Sequence, residues 1–206
     1  MCSSDLGHRV SRRVRTGRCA QPGVGPSPFL SSVAPTRFDI IAAGFTNDAD
    51  TARSGLSSDD PTFRTSALRA LARIGVVTSA ELTAGLTDPD ADVRRTAVQL
   101  SATHDDVDVT GLVDDPDVFV AEMAAWCIGE RSSPTDDEVD ALVRATTGHA
   151  EALVREAAAA ALGSLGDPRR LDAIIAACSD KPAVRRRAVL ALAPFDDPRE
   201  IGRAPL

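Results

Sequence analysis

The chain has 206 residues, 43% of them hydrophobic and 26% charged, which is enough for one or two globular domains and too apolar for a disordered polymer. Aromatic residues are 3%, with one Trp and no Tyr against 34 Ala, so a core must come from small side chains, which favour closely packed helices. A net charge of −7 argues against a general grip on nucleic acid or anionic lipid, since both need clustered cations, and no apolar run approaches the roughly 20 residues that span a bilayer.

The two ends differ from the middle. Cys2-Ser3-Ser4-Asp5-Leu6 can be encoded by DNA whose reverse complement reads Glu-Ile-Gly-Arg-Ala, the string at 200–204. Such an inverted repeat resembles a sequencing adapter translated at both ends of a fragment, and segments of that origin are set aside before fold reasoning. Residues 1–37 carry six Arg against one acid, Asp5, leaving 17 basic and 29 acidic residues beyond them, a net of −12. A basic, acid-poor leader also has the composition of a transit peptide or basic arm, but the matching tail favours translated upstream DNA. The expectation is a disordered, non-native leader at 1–37, a folded body at 38–198 and a non-native tail at 199–206, with the natural protein continuing beyond Pro198. No run suited to a secretory signal is present, which predicts a cytoplasmic protein. Beyond the leader only Cys127 and Cys178 remain, both in Ala-rich helical surroundings where a reduced Cys packs as a small hydrophobe.

Within the body, a helix at 38–45 is followed by a repeat. Segments beginning at Phe63, Val93, Val120, Val154 and Val184 share a large apolar residue, often an Arg next, and an Ala four residues on, at intervals of 30, 27, 34 and 30. A period in this range signals a solenoid. The Arg recurs at Arg64, Arg94, Arg155 and Arg185 and is lost at Ala121; the Ala series is Ala67, Ala97, Ala124, Ala158 and Ala188. Offsets 0, 4, 7, 8 and 11 form one stripe on a helix, and in the fourth unit all five are apolar: Val154, Ala158, Ala161, Leu162 and Leu165. Alanine at two of them lets a partner backbone lie close.

A shorter first helix is predicted before each of these, at 50–56, 79–86, 107–113, 136–146 and 169–178. Asp60-Pro61, Asp88-Pro89, Asp115-Pro116 and Lys181-Pro182 mark the turns, with Asp as cap and Pro in the first helical turn. Thr135 with Glu138 forms a capping box, and Gly75, Gly148 and Gly166 supply stops. A lone pair of helices leaves apolar surface on both flanks, so the units must stack.

The segments Asp88-Pro89-Asp90-Ala91-Asp92-Val93-Arg94-Arg95 and Val154-Arg155-Glu156-Ala157 through Ala161-Leu162-Gly163 resemble the HEAT-repeat family, in its short, phycobilisome-lyase-like variety, over residues 48–193. The resemblance implies an all-α, right-handed, armadillo-like α-solenoid of about five helix pairs. It also implies that the recurrent Arg reaches an Asp of a neighbouring turn, so that the loss at Ala121 leaves a local weakness.

Signals of chemistry are weak. His104 and His149 lie far apart in a linear array, which disfavours a His-metal cluster and a Cys-His nucleophile pair. Asp88, Asp90 and Asp92 have the spacing that opens a calcium loop, but Val93 stands where Gly is needed and Gln99 where Glu is needed. The acids at 105–117 read as a solvated edge. Gly163-Ser164-Leu165-Gly166 is a helix ending, since no Lys follows and no strand precedes. The family resemblance includes DNA glycosylases, disfavoured by the acidic charge and single Trp, and bilin lyases.

The expectation is therefore a non-catalytic scaffold, without catalytic residues, metal or cofactor, that binds a protein or peptide on the face of its second helices. The alternatives are a component of a lyase or modification complex and a fragment of a larger multidomain protein. Offsets 2 and 6 on that face nominate Arg69, Arg95, Gln99, Glu122, Trp126, Glu156, Arg186 and Leu190 as partner-binding residues, with Arg73 and Arg187 nearby and Trp126 as the main anchor. If the array is cut at its C-terminal end, Phe195 and the flank of the fifth pair are exposed and invite self-association.

Overall fold

In a computed structural model, residues 34–195 are described. Most of the leader, Pro198 and the tail at 199–206 lie outside the described residues. All regular structure among them is helical. A first helix, α1 (Arg37–Thr46), opens on a capping box formed by Thr36 and Asp39, and the Arg37 Nε donates to Ser66 Oγ.

Five units follow. The first pairs α2 (Ala49–Ser54), extended by a 3₁₀ turn at Gly55–Ser57, with α3 (Pro61–Ile74); the second pairs α4 (Ser79–Leu86) with α5 (Ala91–Leu100). The third pairs a 3₁₀ segment, Thr110–Asp114, with α6 (Val118–Glu130). The fourth is α7 (Asp136–Gly148) and α8 (Ala152–Leu165), and the fifth α9 (Leu171–Ala177) and α10 (Pro182–Ala191). The helix predicted at 107–113 is thus a 3₁₀ segment. Its Val107, Val109 and Val113 are buried, but β-branched residues and Gly111 hold helical dihedrals poorly, so packing is kept while the α-helix is not.

The first helix and the second helices stack in chain order, α1 on α3, α3 on α5, α5 on α6, α6 on α8 and α8 on α10, and among the described residues substantial packing runs only within a unit or between neighbours. This is the single-file architecture of an α-solenoid. The predicted stripe is its core: Val93, Val120, Val154 and Val184, and the whole series Ala67, Ala97, Ala124, Ala158 and Ala188, are sealed from solvent. Phe63 and Leu165 are partly buried. Ser101, a polar residue at offset 8 of the second unit, satisfies its hydroxyl on the Ala97 carbonyl one turn back. Phe195 packs partly against this core and is not an exposed flank.

Glycines set the closest approaches. A Cβ on Gly129 would lie 2.7 Å from the Ala161 Cβ and 2.8 Å from its Cα, and one on Gly163 would lie 2.6 and 2.7 Å from the same atoms of Ala191. Both pairs join successive second helices, α6 to α8 and α8 to α10.

The turns differ from the prediction in one respect. Asp60 caps α3 as expected, but Asp90 and Asp117, two residues beyond the predicted caps, cap α5 and α6. Asp88 and Asp115 instead accept from the backbone N–H two residues on and receive an arginine from the preceding unit. Gly75 and Gly166 end their helices at positive φ, whereas Gly148 is the last residue of α7 and is capped by His149.

That arginine ladder repeats almost atom for atom. Arg64 donates Nε and Nη2 to Asp88 at 2.7 Å each, and its Nη1 to the carbonyls of Ser58 and Asp59. Arg94 does the same with Asp115 and the carbonyls of Asp88 and Pro89, and Arg155 with Asp180 and the carbonyls of His149 and Ala150. Between units three and four both halves of the rung are replaced. Ala121 stands for the arginine, and His149 stands for the aspartate, its Nδ1 accepting from the Glu151 N–H as the aspartates do from theirs. This joint is held otherwise: Arg131, just after α6, donates Nη1 to Glu138 of α7 and Nη2 to the Val107 carbonyl, and both side chains are almost wholly buried. Glu138 also closes the capping box with Thr135.

Candidate functional site

The residues nominated on the second helices separate into two groups. Gln99 of α5, Glu122 and Trp126 of α6 and Glu156 of α8 line one groove of about 390 Å³, together with Met123, Leu153, Ala157, Ala160 and Arg187. Leu190, 62% exposed, borders an adjoining groove between α8 and α10 that Arg187 shares. The remaining three stand apart. Arg95 is turned onto Asp92 of its own helix at 2.8 Å, Arg69 reaches Thr96 at 3.4 Å, and Arg186 is exposed on α10.

The groove exists because its floor is small. Gly129, Ala157, Ala160 and Ala161 keep α6 and α8 close, and the larger side chains stand on the walls. On α6, Glu122, Trp126 and Glu130 are spaced four residues apart, so they share one face of the helix, and all three line the groove. Trp126 is 41% exposed: it is anchored by the helix but not enclosed between units. On the opposite wall Glu156 faces Arg187 at 3.5 Å. Arg187 and Met123 lie one position beyond the nominated Arg186 and Glu122, while Leu153 lies three residues before Glu156 and Glu130 four residues after Trp126, one helical turn away in each case. Their common signal is helical adjacency, which offsets 2 and 6 alone do not capture.

Other candidate chemistry has structural explanations. Asp88 receives Arg64, Asp90 caps α5, and Asp92 pairs with Arg95, so each acid of the incomplete calcium pattern is engaged within the fold. No group of three or more His, Cys, Asp or Glu among the described residues is placed to hold a metal ion. Burial pushes the Cys127 thiol up to about 11, outweighing the nearby Arg131 cation, so it behaves as a packed hydrophobe and not as a nucleophile. No described helix is long and apolar enough to cross a membrane.

Residues 106–193 match the HEAT repeats family. This stretch carries HEAT repeats. The match spans units three to five, where α6, α7 and α8 are the longest consecutive helices, while the same ladder and stripe run through units one and two. A crystal structure of an engineered protein resembles this HEAT array with a TM-score of 0.50 and 20% identity, covering 78% of this chain and 84% of that one, a likeness of fold alone. No curated protein matches the sequence.

Proposed function

We propose that this HEAT-repeat chain is a non-catalytic scaffold that holds a segment of a protein partner in the groove along α5, α6 and α8. The observation that carries the reading is the half-exposed Trp126 lining a groove with the apolar side chains of Met123, Leu153, Ala157 and Ala160. A large aromatic side chain left partly in water costs apolar burial that a partner would recover, and Trp is among the residues enriched where binding energy concentrates. The family supports the reading, since helical repeats present extended faces to other proteins.

The test is a Trp126→Ala substitution assayed for both stability and retention of a partner identified with the wild-type chain. Partner affinity is expected to fall about tenfold or more, as for an interface anchor. The melting transition should shift by an amount equivalent to roughly 1 kcal/mol or less. A large stability loss with partner affinity intact would refute this assignment and make Trp126 a packing residue.

A further inference from the structure

From the charges around the groove we infer the chemistry of its occupant: an arginine side chain of the partner, flanked by a large apolar residue, lying on Trp126 between Glu122 and Glu130. This deepens the scaffold reading and rests on it. Four charged side chains line the groove, Glu122, Glu130, Glu156 and Arg187. Arg187 is committed to Glu156 at 3.5 Å. Among the described residues Glu122, partly buried, and Glu130, exposed, make no ion pair, so the unpaired charge along the groove is negative.

A cation supplied from outside would complement that charge, and the geometry selects which cation. Glu122 and Glu130 stand one turn to either side of Trp126 on the same face of α6. A planar guanidinium can lie over the indole face while its N–H fork reaches a carboxylate one turn away, combining cation–π attraction with a bidentate ion pair. A lysine ammonium is compact and strongly hydrated, and offers neither the stacking plane nor the fork. The apolar floor beside Trp126 then takes the neighbouring side chain of the same segment. An acidic occupant would face two uncompensated carboxylates, and a purely apolar one would bury them without a partner.

Because Trp126 is the single tryptophan of the chain, its emission reports occupancy of this groove directly. Peptides are first selected from a random displayed library against the wild-type chain, then synthesised and titrated against wild type, Trp126→Ala and the double variant Glu122→Gln, Glu130→Gln. Each variant is checked for an unchanged helical spectrum and melting transition. The expected result is selection of peptides with Arg beside a large apolar residue that shift the Trp126 emission. Replacing that Arg by Gln, or using the double Gln variant, should weaken binding about tenfold or more, and replacing it by Lys should weaken it by less. Selected peptides without Arg, or affinities indifferent to the Arg and to both glutamates while still lost in Trp126→Ala, would overturn the arginine assignment and leave the groove reading standing. Selected peptides whose binding survives Trp126→Ala unchanged would overturn both.

Discussion

The joint between units one and two and the joint between units three and four solve the same problem with different physics. The first has two arginines at its disposal: Arg64 on Asp88, and Arg53 donating to Glu81 at 2.9 Å and to the Val76 carbonyl at 3.0 Å. The second lacks the Arg-Asp rung at both ends and relies on Arg131 with Glu138. Glu81 and Glu138 are equivalent, each being the capping-box acid of its unit's first helix, and each receives an arginine from the unit before. The environments differ. Arg53 is 40% exposed, whereas the Arg131 side chain is 1% exposed. A motif that is a modest surface contact at one joint becomes, once sealed, a group that cannot lose its partner without leaving a buried charge.

The contrast is broken most directly by Arg131→Met. It strands the Glu138 carboxylate, and denaturant unfolding should show a loss of about 3–5 kcal/mol; Arg131→Met combined with Glu138→Leu should recover much of that. Equal damage from the single and double variants would mean that packing, not the stranded charge, decides this joint. A smaller effect is expected at a laddered joint. Asp115→Ala removes two charge-assisted bonds from Arg94 and one turn bond, but leaves Arg94 able to reach water, so about 1.5–3 kcal/mol is expected in the same assay.

The smallest effect is in pH dependence. At Asp88 burial raises the pKa, but the Arg64 hydrogen bond and the backbone N–H of Asp90 outweigh it and hold the carboxyl below its ordinary value; at Asp180 the Arg155 hydrogen bond dominates in the same direction. A carboxyl depressed in the folded state binds its proton more readily when unfolded. Its contribution is therefore complete above the unfolded value of about 3.9 and is lost as pH falls through the lower, folded one. Acid titration of stability in Asp88→Asn or Asp180→Asn should be flatter through that window than in wild type. An unaltered profile would show that the rungs are not linked to proton uptake.

The array was legible because a helix repeats its face every 3.6 residues. Val93, Val120, Val154 and Val184 with their alanines announced the stripe, and all of these residues are buried. What escaped was local. The 107–113 segment keeps its buried valines without an α-helix, and the caps at Asp90 and Asp117 sit beyond the Asp-Pro pairs because Asp88 and Asp115 are reserved for arginines from another unit. Such a division of labour among neighbouring aspartates is decided across about 20 residues of sequence, not within a turn. The groove was half legible for the same reason. Gln99, Glu122, Trp126 and Glu156 follow from fixed offsets, but Arg95 has an acid of its own helix within reach, and Arg187 enters one position off the offset rule.

The glycine contacts at Gly129 and Gly163 have a further bearing on the groove. Where main chain meets the alanine of the next helix, the gauge between α6, α8 and α10 is set by bare backbone, and rim side chains take no part in setting it. Specificity and frame are thereby uncoupled: residues along the walls can be exchanged to suit a new ligand while the slot keeps its width, whereas one methyl group added at the seam would re-cut every dimension at once.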